Sequence, residues 1–278
     1  MCFKRLNAEV GLHLRPELLS WISKLQAVGS LGFCEVHLEA LLKPSVKYFD
    51  LIDTMLNCGI RINLHSVGIL PDRNFEPHLR AIEKLTKWSS PSLLSVHLAS
   101  GYQMNDFGES FTRPSYSDQF FNLMESHLVA LSSNIQVPVA IENIANYTTH
   151  SDNANDELEF LAATAKATGT SVVFDVSNHL TTYPSLKTFT SHAKLVSELP
   201  LAHLHVSGGR WINGRYFDTH ADPLQTSHIE LLSQIVALSS AIPLYERDYG
   251  FERIEEIERE IQWLLKSVDS SRTRERFI

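Results

Sequence analysis

Cysteine is nearly absent from this chain. Three residues, Cys2, Cys34 and Cys58, occur among 278, an odd number at no metal-like spacing. That pattern excludes a disulfide framework and a thiolate-held structural zinc site, and it reads as reduced thiols in a cytoplasmic protein. Long apolar runs are also missing. No segment approaches ~18 consecutive apolar residues, so no transmembrane helix is expected. The first residues, MCFKRLNAEVGLHLRPELL, lack the apolar stretch of a signal peptide. Positive charge is scarce: 24 Lys and Arg against 32 Asp and Glu leave a net charge of −8. Duplex nucleic acid and anionic membranes favour the opposite balance, so neither is an expected partner. Glycine (12) and proline (11) are too few for a low-complexity or fibrous chain.

What remains suits a large globular fold: 44% of residues are hydrophobic and 20% charged. Strand-like runs fall at about 10–15, 33–38, 61–66, 93–98, 137–143, 171–176, 203–207 and 242–247. Helix-like segments separate them at about 16–28, 44–58, 76–89, 117–133, 154–168, 185–199, 223–240 and 250–267. Eight strands alternating with eight helices imply parallel strands joined by right-handed crossovers. At this length the expected architecture is one α/β domain over 1–278, a closed (β/α)₈ TIM barrel. Its tail, 268–278, is polar and expected to fray. Pro16, Pro44 and Pro77 lie near helix starts, and Gly29, Gly59 and Gly169 where helices should end. Ser151, Asp152 and Asn153 offer a capping region for helix 154–168. Two connections are long, 99–116 and 207–222. Both follow strand ends on the face where barrel enzymes keep their chemistry.

Six of the apolar runs end on a residue that can bind a metal. RINLH ends at His65, LLSVH at His97, VPVAIE at Glu142, SVVFD at Asp175, LAHLH at His205 and IPLYE at Glu246. Each run builds core and then presents one polar group at its C-terminal end. Side chains alternate along a strand, so His203 shares a face with His205, and Glu246 with Asp248. His205, nearer the rim, is the preferred ligand. Asn178 follows Asp175 where the strand becomes loop. Asp218 and His220 form an i, i+2 pair that can grip one ion. Any one of these has an ordinary explanation: a rim histidine is commonly a hydrogen-bonded structural residue, and a rim carboxylate often caps a helix. Their repetition on independent strands favours a metal centre. Nitrogen and oxygen donors with carboxylates able to bridge suit iron, manganese or hydrolytic zinc. Of the 13 histidines, His78, His127, His150, His192 and His228 sit in polar or helical stretches and read as surface residues.

The segments GLHLRPEL (11–18), CEVHLEAL (34–41), NLHSVGI (63–69), SVHLAS (95–100), IENIANY (141–147), FDVSNHL (174–180), HLHVSG (203–208), DTHAD (218–222) and YERD (245–248) occur in this order. Together they resemble the DUF692 (UPF0276) family over residues 10 to 265. The DTH and YERD motifs resemble the branch of multinuclear non-heme iron enzymes that modify cysteine in ribosomally made peptides. That branch includes the methanobactin-biosynthesis oxidase and the peptidyl-cysteine enzyme of the 3-thiaglutamate pathway. The resemblance implies a cytoplasmic oxidoreductase holding two or three Fe ions and using O2 as co-substrate. By motif match the metal ligands would be His65, His97, Glu142, Asp175, Asn178, His205, Asp218, His220 and Glu246. Asp248 would be the neighbouring catalytic acid/base group. The implied partners are a cysteine-containing precursor peptide and a small peptide-binding protein forming a heterodimer with this chain. A trinuclear zinc phosphodiesterase of the endonuclease IV type has a similar ligand order. It carries His where this chain has Asn178, with His179 adjacent, and its DNA substrate suits an acidic surface poorly. A sugar isomerase of related barrel form, or a non-catalytic metal-binding scaffold subunit, are the other readings.

Overall fold

The computed structural model describes residues 8–42, 46–66, 75–99, 101–105, 108–112, 116–147, 154–183 and 186–275. The chain runs β1 (Val10–His13), α1 (Leu19–Ala27), β2 (Leu31–His37), α2 (Leu38–Leu42), α3 (Val46–Asn57), β3 (Ile62–Ser66), α4 (Phe75–Ser89) and β4 (Leu94–His97). A hairpin follows, β5 (Gly101–Asn105) and β6 (Gly108–Thr112), then α5 (Asp118–Asn134), β7 (Val139–Glu142), α6 (Ala154–Thr168), β8 (Ser171–Asp175), α7 (Val176–Thr182) and α8 (Leu186–Ser197). The last stretch is β9 (Leu201–Val206), a second hairpin of β10 (Gly209–Ile212) and β11 (Arg215–Asp218), then α9 (Thr226–Leu238), β12 (Ile242–Tyr245) and α10 (Ile254–Glu275). Eight parallel strands close into a barrel in the order β1-β12-β9-β8-β7-β4-β3-β2, as the βα alternation predicts.

The alternation of side chains explains why these runs are strands of such a barrel. One face is aliphatic in seven of the strands: Leu12, Val36, Ile62, Leu64, Leu94, Val96, Ile141, Val172 and Leu204 are all buried. The other face carries Gly11 and His13, Asn63 and His65, Ser95 and His97, Ala140 and Glu142, and His203 and His205. A sheet whose two faces are both covered needs no exposed polar row, so these strands are buried end to end. Each donor is the last or nearly the last residue of its strand, where the backbone leaves the ladder.

By contacts the chain divides into two compact units, Met1–Cys34 with Phe174–Ile278, and Glu35–Val173. The boundaries fall inside β2 and β8. In the first unit Gly11 is required by close approach: an added Cβ would lie 2.7 Å from the Phe33 ring. In the second, β3, β4 and β7 run side by side in a register that pairs His65 with Ser95 and His97 with Glu142.

The punctuation reads as expected. Gly29, Gly59 and Gly169 sit at φ +69°, +73° and +69°, the left-handed geometry of a helix end. Pro16 opens a 3₁₀ turn, Pro16–Leu18, ahead of α1. Pro44 and the group 151–153 lie outside the described residues. The tail is helical as far as Glu275. The two long connections are not irregular loops; each folds back as an antiparallel hairpin. For the second the cause is plain: Asn213 and Gly214, at φ +51° and +76°, form the two-residue turn that matches strand twist. Two expectations about histidine need correction. His192 and His228 are buried at 5% and 0% exposure, not on the surface. Helical position alone hid this, because each faces inward and is hydrogen-bonded, His192 to His179 and His228 to Tyr216. Among the described residues no helix is long and apolar enough to cross a membrane.

Candidate metal centre

Among the described residues, each unit brings together a cluster of donor side chains of its own. In the unit Glu35–Val173, His65, His97 and Glu142 bring ligand atoms within 4.8 Å of one another. Register explains it: His97 and Glu142 are paired residues at the ends of adjacent strands. Glu142 Oε2 lies 3.4 Å from His65 Nδ1 and 3.4 Å from His97 Nε2. The two imidazoles meet edge to face with centroids 4.7 Å apart. Ser95, one strand over from His65, hydrogen-bonds its Nδ1 at 2.8 Å and fixes the ring's rotation. All three donors are buried. A carboxylate and two imidazoles on rigid strand ends are three-quarters of a four-coordinate shell for a divalent ion.

The other unit carries a denser group. His220, Glu246 and Asp248 bring ligand atoms within the same 4.8 Å limit. Glu246 is its hub. Its Oε2 lies 3.4 Å from His205 Nδ1, and its Oε1 lies 3.6 Å from His220 Nδ1 and 3.8 Å from His13 Nδ1. Asp218, which closes β11, meets His220 Nε2 through Oδ2 at 3.0 Å. Its Oδ1 accepts from Ser207 Oγ at 2.5 Å. The DTH pair thus converges on itself and on Glu246. His203 hydrogen-bonds His205 through their Nε2 atoms at 3.0 Å, so it sits directly behind the preferred ligand.

Asp248 faces His13 Nδ1 at 3.3 Å and His220 Nδ1 at 3.5 Å, and Arg15 donates to its Oδ1. Burial is the largest influence on its carboxyl and pushes it up. Hydrogen bonds and charges from His13 and His220 outweigh burial and hold it well below the usual carboxylate range. His220 moves the other way. Burial opposes its charge, yet Asp218 and Glu246 raise it well above an ordinary histidine. Three carboxylates around one imidazole create a demand for positive charge, which is what a bound cation would supply.

Asp175 and Asn178 are placed together differently. Asp175 is the N-cap of α7, and its Oδ1 accepts the Asn178 backbone N–H at 2.7 Å. The ordinary role of a rim carboxylate is therefore present; one oxygen caps, and a carboxylate has a second. Both side chains are buried. The donor that sequence reading missed is His13. Its signal was available, since VGLH is another apolar run ending on histidine, as is FCEVH ending on His37. Every barrel strand thus reaches a potential ligand at or just past its C-terminal end.

The donor chemistry fits a resident metal. The clusters hold only nitrogen and oxygen donors, suited to ions harder than those that thiolates select. Cys34 lies on the aliphatic side of β2 with its thiol pushed up by burial to about 12, and Cys58 is exposed after α3.

The structure is a TIM barrel whose strand ends carry mixed N/O clusters that could hold metal ions. Residues 9–268 match the family described as RiPP precursor modification enzyme MbnB/TglH/ChrH, where a RiPP is a ribosomally made, post-translationally modified peptide, and the chain belongs to that family. It is 25% identical over 282 residues to a UPF0276 protein of Streptomyces avermitilis, covering 95% of this chain. The chain spans only 56% of that relative's length. In fold it is similar to an L-ribulose 3-epimerase, with TM-score 0.59, 12% identity and 97% of both chains covered. It is also similar to the 3-keto-D-glucoside 4-epimerase of E. coli, with TM-score 0.58, 14% identity and 96% and 100% covered. Those likenesses show the barrel alone.

Proposed function

We propose that this chain is a multinuclear iron enzyme that oxidises a cysteine of a ribosomally made precursor peptide with O2. In this reading it acts with a small partner protein that holds the peptide. Family membership supports the peptide substrate. The observation that carries the metal reading is the arrangement around Glu246, one carboxylate whose two oxygens serve three histidines with two further aspartates at hand. A separate His65, His97 and Glu142 trio supports more than one ion per chain. His65, His97, Glu142, Asp175, Asn178, His205, Asp218, His220 and Glu246 are the proposed ligands. Asn178 offers an amide oxygen, an acceptable donor to iron.

Bound there, iron would supply redox chemistry and an electrophilic site for a thiolate. The protein's own groups do the rest. Ser95 and Ser207 fix a histidine and an aspartate by hydrogen bonds, as outer partners of metal ligands do. In this reading Asp248 is the neighbouring acid/base group, its carboxylate facing His13 and His220 while Arg15 anchors Oδ1 and limits its rotation. Burial of His65, His97, Glu142, Asp175, His205 and Glu246 keeps bulk water from competing for them.

The test is anaerobic purification with elemental analysis, then O2 uptake with a cysteine-bearing precursor and candidate partner. About two to three iron per chain is expected. Zinc alone, with cleavage of abasic-site DNA, would overturn the reading.

A further inference from the structure

The strand that presents Glu246 and Asp248 has another face, and it carries a buried polar network rather than core. Tyr245 and Arg247 alternate with the two carboxylates and are each 1% exposed. Tyr245 Oη donates to Glu260 Oε2 at 2.6 Å. Arg247 Nη1 donates to Tyr245 Oη at 3.1 Å and to Glu260 Oε2 at 3.3 Å. Its Nη2 donates to Glu256 Oε1 at 2.9 Å, and to the carbonyls of Ala221 and Gly250, both at 3.0 Å. Glu260 Oε1 accepts the backbone N–H of Leu224 at 2.7 Å.

Two of these partners belong to the segment that carries Asp218 and His220. Arg247 grips it at Ala221, one residue past His220, and Arg253 donates to the same carbonyl. Glu260, on α10, grips it at Leu224. The backbone N–H of Asp248 bonds the His220 carbonyl at 2.8 Å. His220 itself sits at φ +49°, a left-handed conformation uncommon for any residue with a Cβ.

Stability does not explain such a network. Burying a guanidinium against carboxylates is costly, and apolar residues of similar volume often serve a core as well or better. Directional bonds to two chosen backbone atoms are what apolar residues cannot supply. We propose that Arg247 and Glu260 are positioning residues that hold the 218–224 segment so that His220 and Asp218 meet Glu246. They set the metal affinity of that cluster without touching the ion. The inference rests on the metal reading above.

Cobalt(II) absorption, titrated into the chelator-stripped full chain, tests it. A His65→Ala background disables the other cluster, so the spectrum reports this one. Glu260→Gln preserves shape but removes the charge that orders Arg247, and Arg247→Met removes the grip on Ala221. Cobalt affinity is expected to fall about tenfold or more in both, as for loss of outer partners of metal ligands. Arg247→Lys, which has too few donors to reach all of these acceptors, should not restore it. Urea midpoints separate this from a structural role: lower midpoints with unchanged cobalt affinity would overturn the inference. If Arg247→Met fails to fold, Glu260→Gln alone decides. No cobalt binding by the unaltered chain would sink the metal reading itself. Binding that is equally tight in all variants would sink only the positioning role.

Discussion

His228 makes a quantitative prediction, because its burial carries a pH signature. It lies in the first turn of α9 with 0% exposure. The Gln225 backbone N–H donates to its Nδ1 at 3.0 Å, so the ring proton sits on Nε2 and faces Tyr216 Oη at 2.7 Å. That bond ties α9 to β11, the strand that ends on Asp218. Burial is the main cause that pushes its pKa down to about 4, with the negative charge of Asp218 opposing in part. The folded chain therefore refuses a proton that the unfolded chain takes up near pH 6.5. Stability is full above that pH, falls as pH drops toward the folded value, and levels off below it. Between about pH 7.5 and about pH 5 the loss attributable to His228 is roughly 2 kcal/mol. His228→Asn keeps an acceptor for the Gln225 N–H but cannot take a proton. It should cost about 1–2 kcal/mol at neutral pH through the lost Tyr216 bond. It should then lose roughly 2 kcal/mol less than the parent on acidification. Urea unfolding of both chains, metal-free and across that pH range, measures the difference. All other titrating groups are shared and cancel. Parallel pH profiles would refute the assignment of a buried neutral ring.

Glu142→Gln should reduce bound metal by about one ion per chain, since the carboxylate serves both His65 and His97, while the urea midpoint of the metal-free chain stays close to the parent's; elemental analysis with urea melts checks both. Gly169→Ala should cost about 1 kcal/mol through backbone strain alone, because nothing lies within 4 Å of an added Cβ and φ is +69°. A value near zero in urea unfolding would show that the helix end relaxes.

The barrel was legible because strand and helix obey different periods, and eight alternations leave few topologies. The left-handed glycines were legible because only glycine occupies that region at no steric cost. The second hairpin was legible in principle, from Asn213-Gly214 between alternating residues, but a long aromatic connection masks a turn of two residues. His13 was passed over because GLH is short and the next residues, Leu14 and Arg15, blur where the strand ends. The buried state of His228 was not legible. It depends on Tyr216, twelve residues earlier and on another element. The grip of Arg247 on Ala221 likewise joins residues 26 apart, and no local pattern announces it.

The inner residues one step below the donors explain why this site and its scaffold separate so cleanly. Barrel interiors are ordinarily filled by bulky branched side chains. Here Gly11 lies below His13, Asn63 below His65, Ser95 below His97 and Ala140 below Glu142. Small and polar residues give the donors room and, in the case of Ser95, a hydrogen bond across to His65. The aliphatic face of the same strands does the burying: Leu64, Val96 and Ile141 are each 0% exposed. Each such side chain is worth about 1.5–3 kcal/mol on burial, whereas a rim carboxylate gives up hydration to be there. Removing a donor should therefore empty a metal site and spare the fold. Truncating Leu64 or Ile141 to Ala should do the reverse, costing about 2–5 kcal/mol while leaving the donor atoms at their strand ends. Urea melts with metal analysis on Leu64→Ala and Glu142→Gln decide it: if both lose stability and metal together, the two faces are one structural unit and the ligands were core residues after all.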